Sequence, residues 1–322
     1  MAPLFKKSVG LLGKLVVAFL IAGVTGEVAC RLLGLGSGII YPRGLYTTSD
    51  DAEIAVEFTP GFTGRAYGQP VRINALGFRG PEIEIAPPPG TYRVLCVGDS
   101  FTYGMGVREE EAWPAVVARW LEPPPGFERV EVTNTGVPGY NLWQGMAVIR
   151  RWQPRLQPHA IVFALVSNDL EPAFYVEDGY LRVPGRTYGW SFPGKRWLQT
   201  RSHLYQFVSM KVTHLLAARV GYDEVAVPRD PELRHAYRTA RERGVRALAD
   251  LTAELAAVPV RLVVADIDIQ PDSLIAGLIE EAGAPHYAIE LVPGETLIDG
   301  HPDVAGHERI ARQIVAALES RW

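Results

Sequence analysis

The 322-residue chain contains only two cysteines, four methionines and seven histidines. Cys30 closes an apolar segment and Cys96 sits inside a β-rich run, so a bond between them would join unrelated places. That argues against a disulfide scaffold. The histidines are scattered, and no His, Cys and carboxylate cluster has ligand spacing. Neither a metal nor a cofactor is expected. There is no basic run, the formal net charge is −4 and the pI is about 6.0, so nucleic acid is not an expected partner. Internal repeats and low-complexity blocks are also missing. The 25 prolines and 32 glycines punctuate the chain instead of clustering, and the length suffices for one large α/β domain with additions.

One long hydrophobic run is present, near the N-terminus. Leu15 to Val24 is apolar apart from one glycine, and Lys6, Lys7 and Lys14 precede it. This core alone is short for a span of about 20 residues. Glu27 and Arg31 are four apart and can pair on one helix face, while Lys14 can snorkel outward. Counted over residues 9–35, the helix is long enough. A membrane anchor, a cleaved signal peptide and a soluble amphipathic helix are the competing readings, with the anchor favoured. The leading lysines place the N-terminus in the cytoplasm and the main domain outside it, as a single-pass protein of the inner membrane.

Residues 36–92 read as a loop-rich lead-in with short strands. Tyr41-Pro42, Thr59-Pro60-Gly61, Gly68-Gln69-Pro70 and Pro87-Pro88-Pro89-Gly90 signal turns. Val71 to Asn74 alternates like a strand, and Asn74 to Gly80 (NALGFRG) makes a glycine-flanked turn. Arg79 there either meets an anionic ligand or pins the loop to the domain, and pinning is the commoner use.

From Arg93 the chain alternates. Val94 to Val97 reads as a buried strand of a parallel sheet, running straight into Gly98-Asp99-Ser100. A helix follows over 108–122. Further strands are expected at Arg129–Asn134, His159–Val166, Val260–Ile267 and Pro285–Val292. Helices are expected at Leu142–Leu156, Pro231–Ala257, Asp272–Glu281 and Asp303–Trp322. Such alternation implies a mostly parallel sheet covered on both faces, with ligands at the carboxyl ends of the strands. Residues 171–229 interrupt the pattern with a long loop-like insertion. It holds Phe174, Tyr175, Tyr180, Tyr188, Trp190, Phe192, Trp197, Tyr205 and Phe207. The insertion suits a lid, a surface for sugar, membrane or a membrane-protein partner, or a small core of its own.

Chemistry-bearing residues fall after the strands: Ser100, Gly139 and Asn168, with Asp299-Gly300-His301 before the last helix. Loops after parallel strands converge on one edge. A serine hydroxyl becomes a nucleophile when a histidine removes its proton and an aspartate holds that histidine's tautomer. The Ser100 amide, the Gly139 amide and the Asn168 side chain supply the two or three donors an oxyanion hole requires.

In this order GDS, the glycine of VPG, ND and the C-terminal Asp/His pair resemble the SGNH (GDSL-like) hydrolases over roughly residues 93–322. NALGFRG and the N-terminal helix look like the membrane-anchored bacterial branch. The resemblance implies a flavodoxin-like three-layer α/β/α sandwich with a mostly parallel sheet, plus an N-terminal transmembrane helix. It implies Ser100 as nucleophile, His301 as general base and Asp299 as its orienter, with Ser100, Gly139 and Asn168 at the oxyanion hole. Two blocks depart from the family pattern. Val166-Ser167-Asn168-Asp169 stands for Gly-x-Asn-Asp, which is expected to narrow the approach to the hole. Asp299 and His301 are one residue apart where the family usually has two. His307 is a weaker rival base.

The expected organisation is therefore an anchor (1–35), a lead-in (36–92) and an SGNH-like domain (93–322) carrying the insertion at 171–229. The expected function is a serine esterase outside the cytoplasm that removes acyl groups, such as acetyl, from an envelope glycan or related small ester. The alternatives are an O-acyltransferase on an envelope polysaccharide and a non-catalytic subunit of a membrane complex.

Overall fold

The computed structural model describes residues 2–36, 40–177, 179–182, 192–220, 231–268, 274–292, 294–297 and 299–320. Its contacts divide the chain into two compact units. The smaller comprises residues 1–41, 66–68 and 188–222, and the larger 42–65, 69–187 and 223–322.

The larger unit is built on a five-stranded sheet. Its strands are β5 (Thr91–Val97), β6 (Arg129–Asn134), β7 (Ala160–Leu165), β10 (Arg261–Asp268) and β11 (His286–Glu290). The spatial order is β11-β10-β7-β5-β6, and every pairing is parallel. The first strand of the sheet thus has the second on one side and the third on the other, the doubly wound order with its switch point between β5 and β7. Every residue of β5 and β7 is buried. This is why both read as continuous apolar runs rather than alternating ones. Short pairs β1 (Tyr46–Thr48) with β2 (Val56–Phe58), β3 (Thr63–Ala66) with β4 (Gln69–Arg72), and β8 (Tyr175–Glu177) with β9 (Tyr180–Arg182) lie outside it.

Helices α2 (Ser100–Tyr103), α3 (Trp113–Trp120), α4 (Leu142–Leu156), α7 (Pro231–Ala256) and α8 (Leu274–Glu281) lie between the strands, and α9 (Val304–Glu319) follows the last of them. On one face Val94, Cys96, Val162, Ala164 and Val263 meet Trp113, Val117, Ile310 and Ile314. The expected helix over 108–122 is shorter. A 3-10 turn (Glu109–Glu111) comes first, Ala112 is extended, and α3 begins at Trp113. Pro114 explains the restart, because it lacks an amide hydrogen and fits only the first turn of a helix.

The smaller unit contains α1 (Ala2–Leu32), α5 (Lys195–Arg201) and α6 (His203–Val220). Gly13–Leu32 is long and apolar enough to cross a membrane, by length and composition. Leu15, Val16, Val17, Phe19, Leu20, Ile21 and Val24 are exposed on it. Residues 171–229 are not one long loop, since they include a two-stranded pair and two helices. Sequence periodicity misses α6 because its apolar residues are spread around the axis, leaving no polar face to mark the 3.6-residue repeat. Tyr188, Trp190, the expected start of α8 at Asp272 and the chain end at Trp322 lie outside the described residues.

Candidate active site

Ser100 is presented by a turn that only a particular backbone permits. Gly98 has φ +158°, and a Cβ there would lie 2.3 Å from Thr102 Oγ1 and 2.7 Å from the Ala164 carbonyl. Any side chain would force β5 from β7 or displace α2. Asp99 caps α2, its carboxylate accepting from the Phe101 amide at 2.9 Å. Gly136, after β6, is also in tight contact: a Cβ would lie 2.4 Å from the Tyr103 amide nitrogen. The Val137 amide donates to the Gly98 carbonyl at 3.2 Å, so the loop bearing Gly139 is stitched to the loop bearing Ser100.

The structure brings Ser100, His301 and Asp299 together across 201 positions of sequence. His301 Nε2 is 2.9 Å from Ser100 Oγ. His301 Nδ1 is 3.3 Å from Asp299 Oδ1, within ion-pair reach but short of a well-aligned hydrogen bond. The same carboxylate oxygen accepts from the His301 amide at 3.3 Å. Burial opposes ionisation of Asp299, but the His301 ring and amide outweigh it and hold the carboxyl below its usual range. The Phe101 ring lies 5.5 Å from the imidazole, centroid to centroid, in a tilted contact.

His307 is placed differently. It is fully buried in α9, and its Nδ1 accepts from the Trp113 amide at 3.3 Å. Burial first, then the charges of Arg79 and His301, pushes it down to about 3, so it remains neutral and joins α9 to α3.

Gly139 has φ +86°, and a Cβ there would touch the Phe174 ring at 2.7 Å. An aromatic from the insertion therefore walls this loop. Asn168 is exposed in the turn after β7, at the carboxyl edge of the sheet where β5 delivers Ser100. Its neighbour Asp169 closes that turn, with Oδ2 accepting from the Val166 amide at 3.0 Å.

One feature escaped the sequence reading. Asp99 Oδ2 lies 3.1 Å from Ser100 Oγ, giving the hydroxyl a second partner beside His301. Asp99 and Asp169 are both buried, and burial raises both carboxyls. Asp99's rise is partly offset by hydrogen bonds and by His301, whereas Asp169 is pushed well up and further by the charges of Asp99 and Asp266. A carboxylate beside Ser100 was legible in the GDS tripeptide itself; the buried partner at Asp169 was not. Arg79, for which pinning of its loop was the commoner expectation, does pin: its guanidinium donates to the carbonyls of Tyr103 and Gly104, both at 2.7 Å, and of Val107 at 2.8 Å. It pins the loop after the serine.

Residues 96–309, about two thirds of the chain, match the profile described as the GDSL-like Lipase/Acylhydrolase family. The chain belongs to this GDSL-like family. No curated protein matches the sequence. Solved structures that resemble it include TesA, at 15% identity and TM-score 0.42, covering 71% of this chain and 98% of that one. The psychrotrophic esterase EstA from Pseudoalteromonas sp. has 12% identity and TM-score 0.42, covering 71% and 97%. An acetylxylan esterase from Geobacillus stearothermophilus has 15% identity and TM-score 0.38, covering 71% and 94%. Within the GDSL-like chain the match begins in β5 and ends in α9, so it encloses Ser100, Asp299 and His301.

Proposed function

We propose that this GDSL-like hydrolase is an extracytoplasmic serine esterase that removes acyl groups, acetyl among them, from an envelope glycan or related ester. The observation that carries the reading is the 2.9 Å approach of His301 Nε2 to Ser100 Oγ. His301 Nδ1 faces the ionised Asp299. A proton on Nδ1 leaves Nε2 free to accept the serine proton.

In the first step Ser100 Oγ attacks the ester carbonyl carbon while His301 Nε2 takes the hydroxyl proton. The carbonyl π pair moves to oxygen, where the Ser100 and Gly139 amides and the Asn168 side chain serve as donors. Collapse of the tetrahedral species breaks the bond to the leaving alcohol, which receives the proton from His301. Water then attacks the acyl-serine, His301 again taking and returning a proton, and the free acid leaves. Phe174, lying against Gly139, favours a short acyl group beside the hole.

The placement outside the cytoplasm draws on Lys6, Lys7 and Lys14 preceding the apolar core of α1. With it goes the division into an anchor (1–35), a lead-in (36–92) and a catalytic domain (93–322). The test is labelling of the full chain in detergent with a fluorophosphonate, beside Ser100→Ala. Labelling of the wild type that disappears in the variant is expected, together with loss of p-nitrophenyl acetate hydrolysis. A folded wild-type chain that takes no label overturns the assignment.

A further inference from the structure

In the smaller unit the end of α1 is locked to α5 and α6 by a carboxylate. Glu27 accepts from Ser202 Oγ at 2.8 Å and from the amides of His203 and Leu204, at 3.1 and 3.0 Å. These are the first two amides of α6, which have no partner within their own helix. Arg31 Nε holds the same carboxylate at 2.7 Å, and its other arm donates to the Arg201 carbonyl at the end of α5, also at 2.7 Å. A Cβ on Gly26 would lie 3.1 Å from Leu204, and one on Gly36 would overlap the His203 carbonyl. The two helices cross so closely that α5 and the start of α6 are held where the apolar stretch Gly13–Leu32 ends.

The composition of the same segment is one-sided. From Gly179 to Tyr222 there is no Asp or Glu, in a chain of net charge −4, but there are seven Lys and Arg. Eight aromatics share the stretch. Among the described residues, Trp197 is 58% and Phe192 43% exposed, and Val208 and Val212 are exposed on α6. Tryptophan favours the headgroup level of a bilayer, and lysine and arginine next to a span favour anionic lipid. A surface facing water has no use for this combination of apolar exposure and single-sign charge.

We propose that α5 and the first half of α6 form an interfacial seat on anionic phospholipid headgroups, with Trp197 at the boundary between headgroups and acyl chains. The proposal rests on α1 being a membrane anchor and adds a second, peripheral contact on the side where α1 emerges.

The test uses the full chain in nanodiscs of phosphatidylcholine with phosphatidylglycerol, made with plain or with acyl-brominated lipid. Tryptophan emission of the wild type minus that of Trp197→Phe isolates the Trp197 signal. Brominated discs are expected to lower it about twofold or more, as for an interfacial tryptophan. The quenching should weaken in discs of phosphatidylcholine alone and in Lys195→Glu/Lys211→Glu. A chain that co-migrates with the discs but shows equal Trp197 emission in plain and brominated lipid overturns the seat alone and turns this surface toward a protein partner. Quenching equal in anionic and neutral discs overturns the role of anionic lipid. A chain that fails to co-migrate with the discs overturns the anchor and the seat together.

Discussion

Replacing Arg79 by alanine should loosen the turn that carries Ser100 from beneath. The guanidinium is 3% exposed, lies 4.3 Å from the centre of the Tyr103 ring, and donates to three carbonyls that follow or end α2. Removing it takes the guanidinium from all three carbonyls; those of Tyr103 and Gly104 keep only long bonds from Asn134 Nδ2 at 3.3 Å and the Val107 amide at 3.4 Å. A hydrogen bond to a charged group contributes about 1.5–3 kcal/mol, and an abandoned buried acceptor costs about as much again as its lost hydration. The three bonds share one side chain and are not additive, and water entering the vacated space recovers part of the loss. The expected destabilisation is therefore about 3–5 kcal/mol, at the upper end for a single substitution. At about 2–4 °C per kcal/mol for a domain of this size, Tm should fall by about 6–20 °C. Because Ser100 opens the helix whose end Arg79 holds, kcat should fall about 10²-fold even well below Tm, the effect of a misplacement near 1 Å. Arg79→Lys keeps a charge but not the planar fork, and should fall between wild type and alanine. The assays are thermal unfolding in detergent and hydrolysis of p-nitrophenyl acetate. An Arg79→Ala chain that melts with the wild type and keeps kcat within about threefold, against the 10² expected of a displaced Ser100, refutes the reasoning.

Two other substitutions probe the same neighbourhood. Gly136→Ala puts a methyl 2.4 Å from the Tyr103 amide and 2.8 Å from the Thr102 carbonyl carbon, so backbone must move; a loss of about 1–3 kcal/mol, read as a lower Tm, should come with slower turnover, and an unchanged melting curve would contradict the close approach. Asp169→Asn should stabilise the protein at neutral pH. Burial and the Asp99 charge raise the native carboxyl well above its unfolded value, so the native state holds a proton that the unfolded chain has released, and stability falls as pH rises from the unfolded value toward the native one, by about 1.4 kcal/mol per unit of separation. Asparagine removes that slope. Its Tm advantage should be largest at neutral pH and vanish below about pH 4, where both states of the wild type are protonated. An advantage independent of pH would remove the carboxyl from the account.

The strands were legible because β5 and β7 are buried on both faces, a condition that forces continuous apolar runs such as Val94–Val97 and Ile161–Leu165. The GDSL-like family and its parallel α/β sheet could therefore be read before any coordinates. Two helices were harder for opposite reasons. The end of the segment 108–122 looked helical by spacing, but Pro114 reset its start. In α6 the helix is real and the spacing is mute, because no polar stripe sets its phase. Arg79 shows the limit of reading a charge in isolation. A buried guanidinium that serves backbone carbonyls and one that awaits an anion carry the same letter, and only the loop 25 residues on decides between them. Likewise, motif order could say that Ser100 and His301 reach one edge, but not that Nε2 and Oγ would stand 2.9 Å apart.

The two departures from the family pattern have different structural consequences from those their letters suggest. Val166 occupies the position where a glycine is usual, and a side chain there was expected to narrow the approach to the hole. Its side chain is 3% exposed and belongs to the core cluster with Val94, Val162 and Ile310. It points into the packed face, and its backbone is absent from the left-handed region that would require glycine. The turn is held by the Asp169 carboxylate on the Val166 amide and by the Asp169 amide on the Val166 carbonyl at 3.1 Å; neither bond involves a side chain at 166. The shortened Asp-x-His spacing is absorbed by Gly300 at φ +90°. That conformation lets the Gly300 amide reach the Leu297 carbonyl at 3.0 Å while the Leu297 amide takes the His301 carbonyl at 2.7 Å. The loop closes on itself and returns the imidazole to the Asp299 carboxylate with one residue fewer. A side chain other than glycine at 300 would have to adopt a strained backbone to keep that return, so the single residue between Asp299 and His301 is itself part of how the pair is positioned.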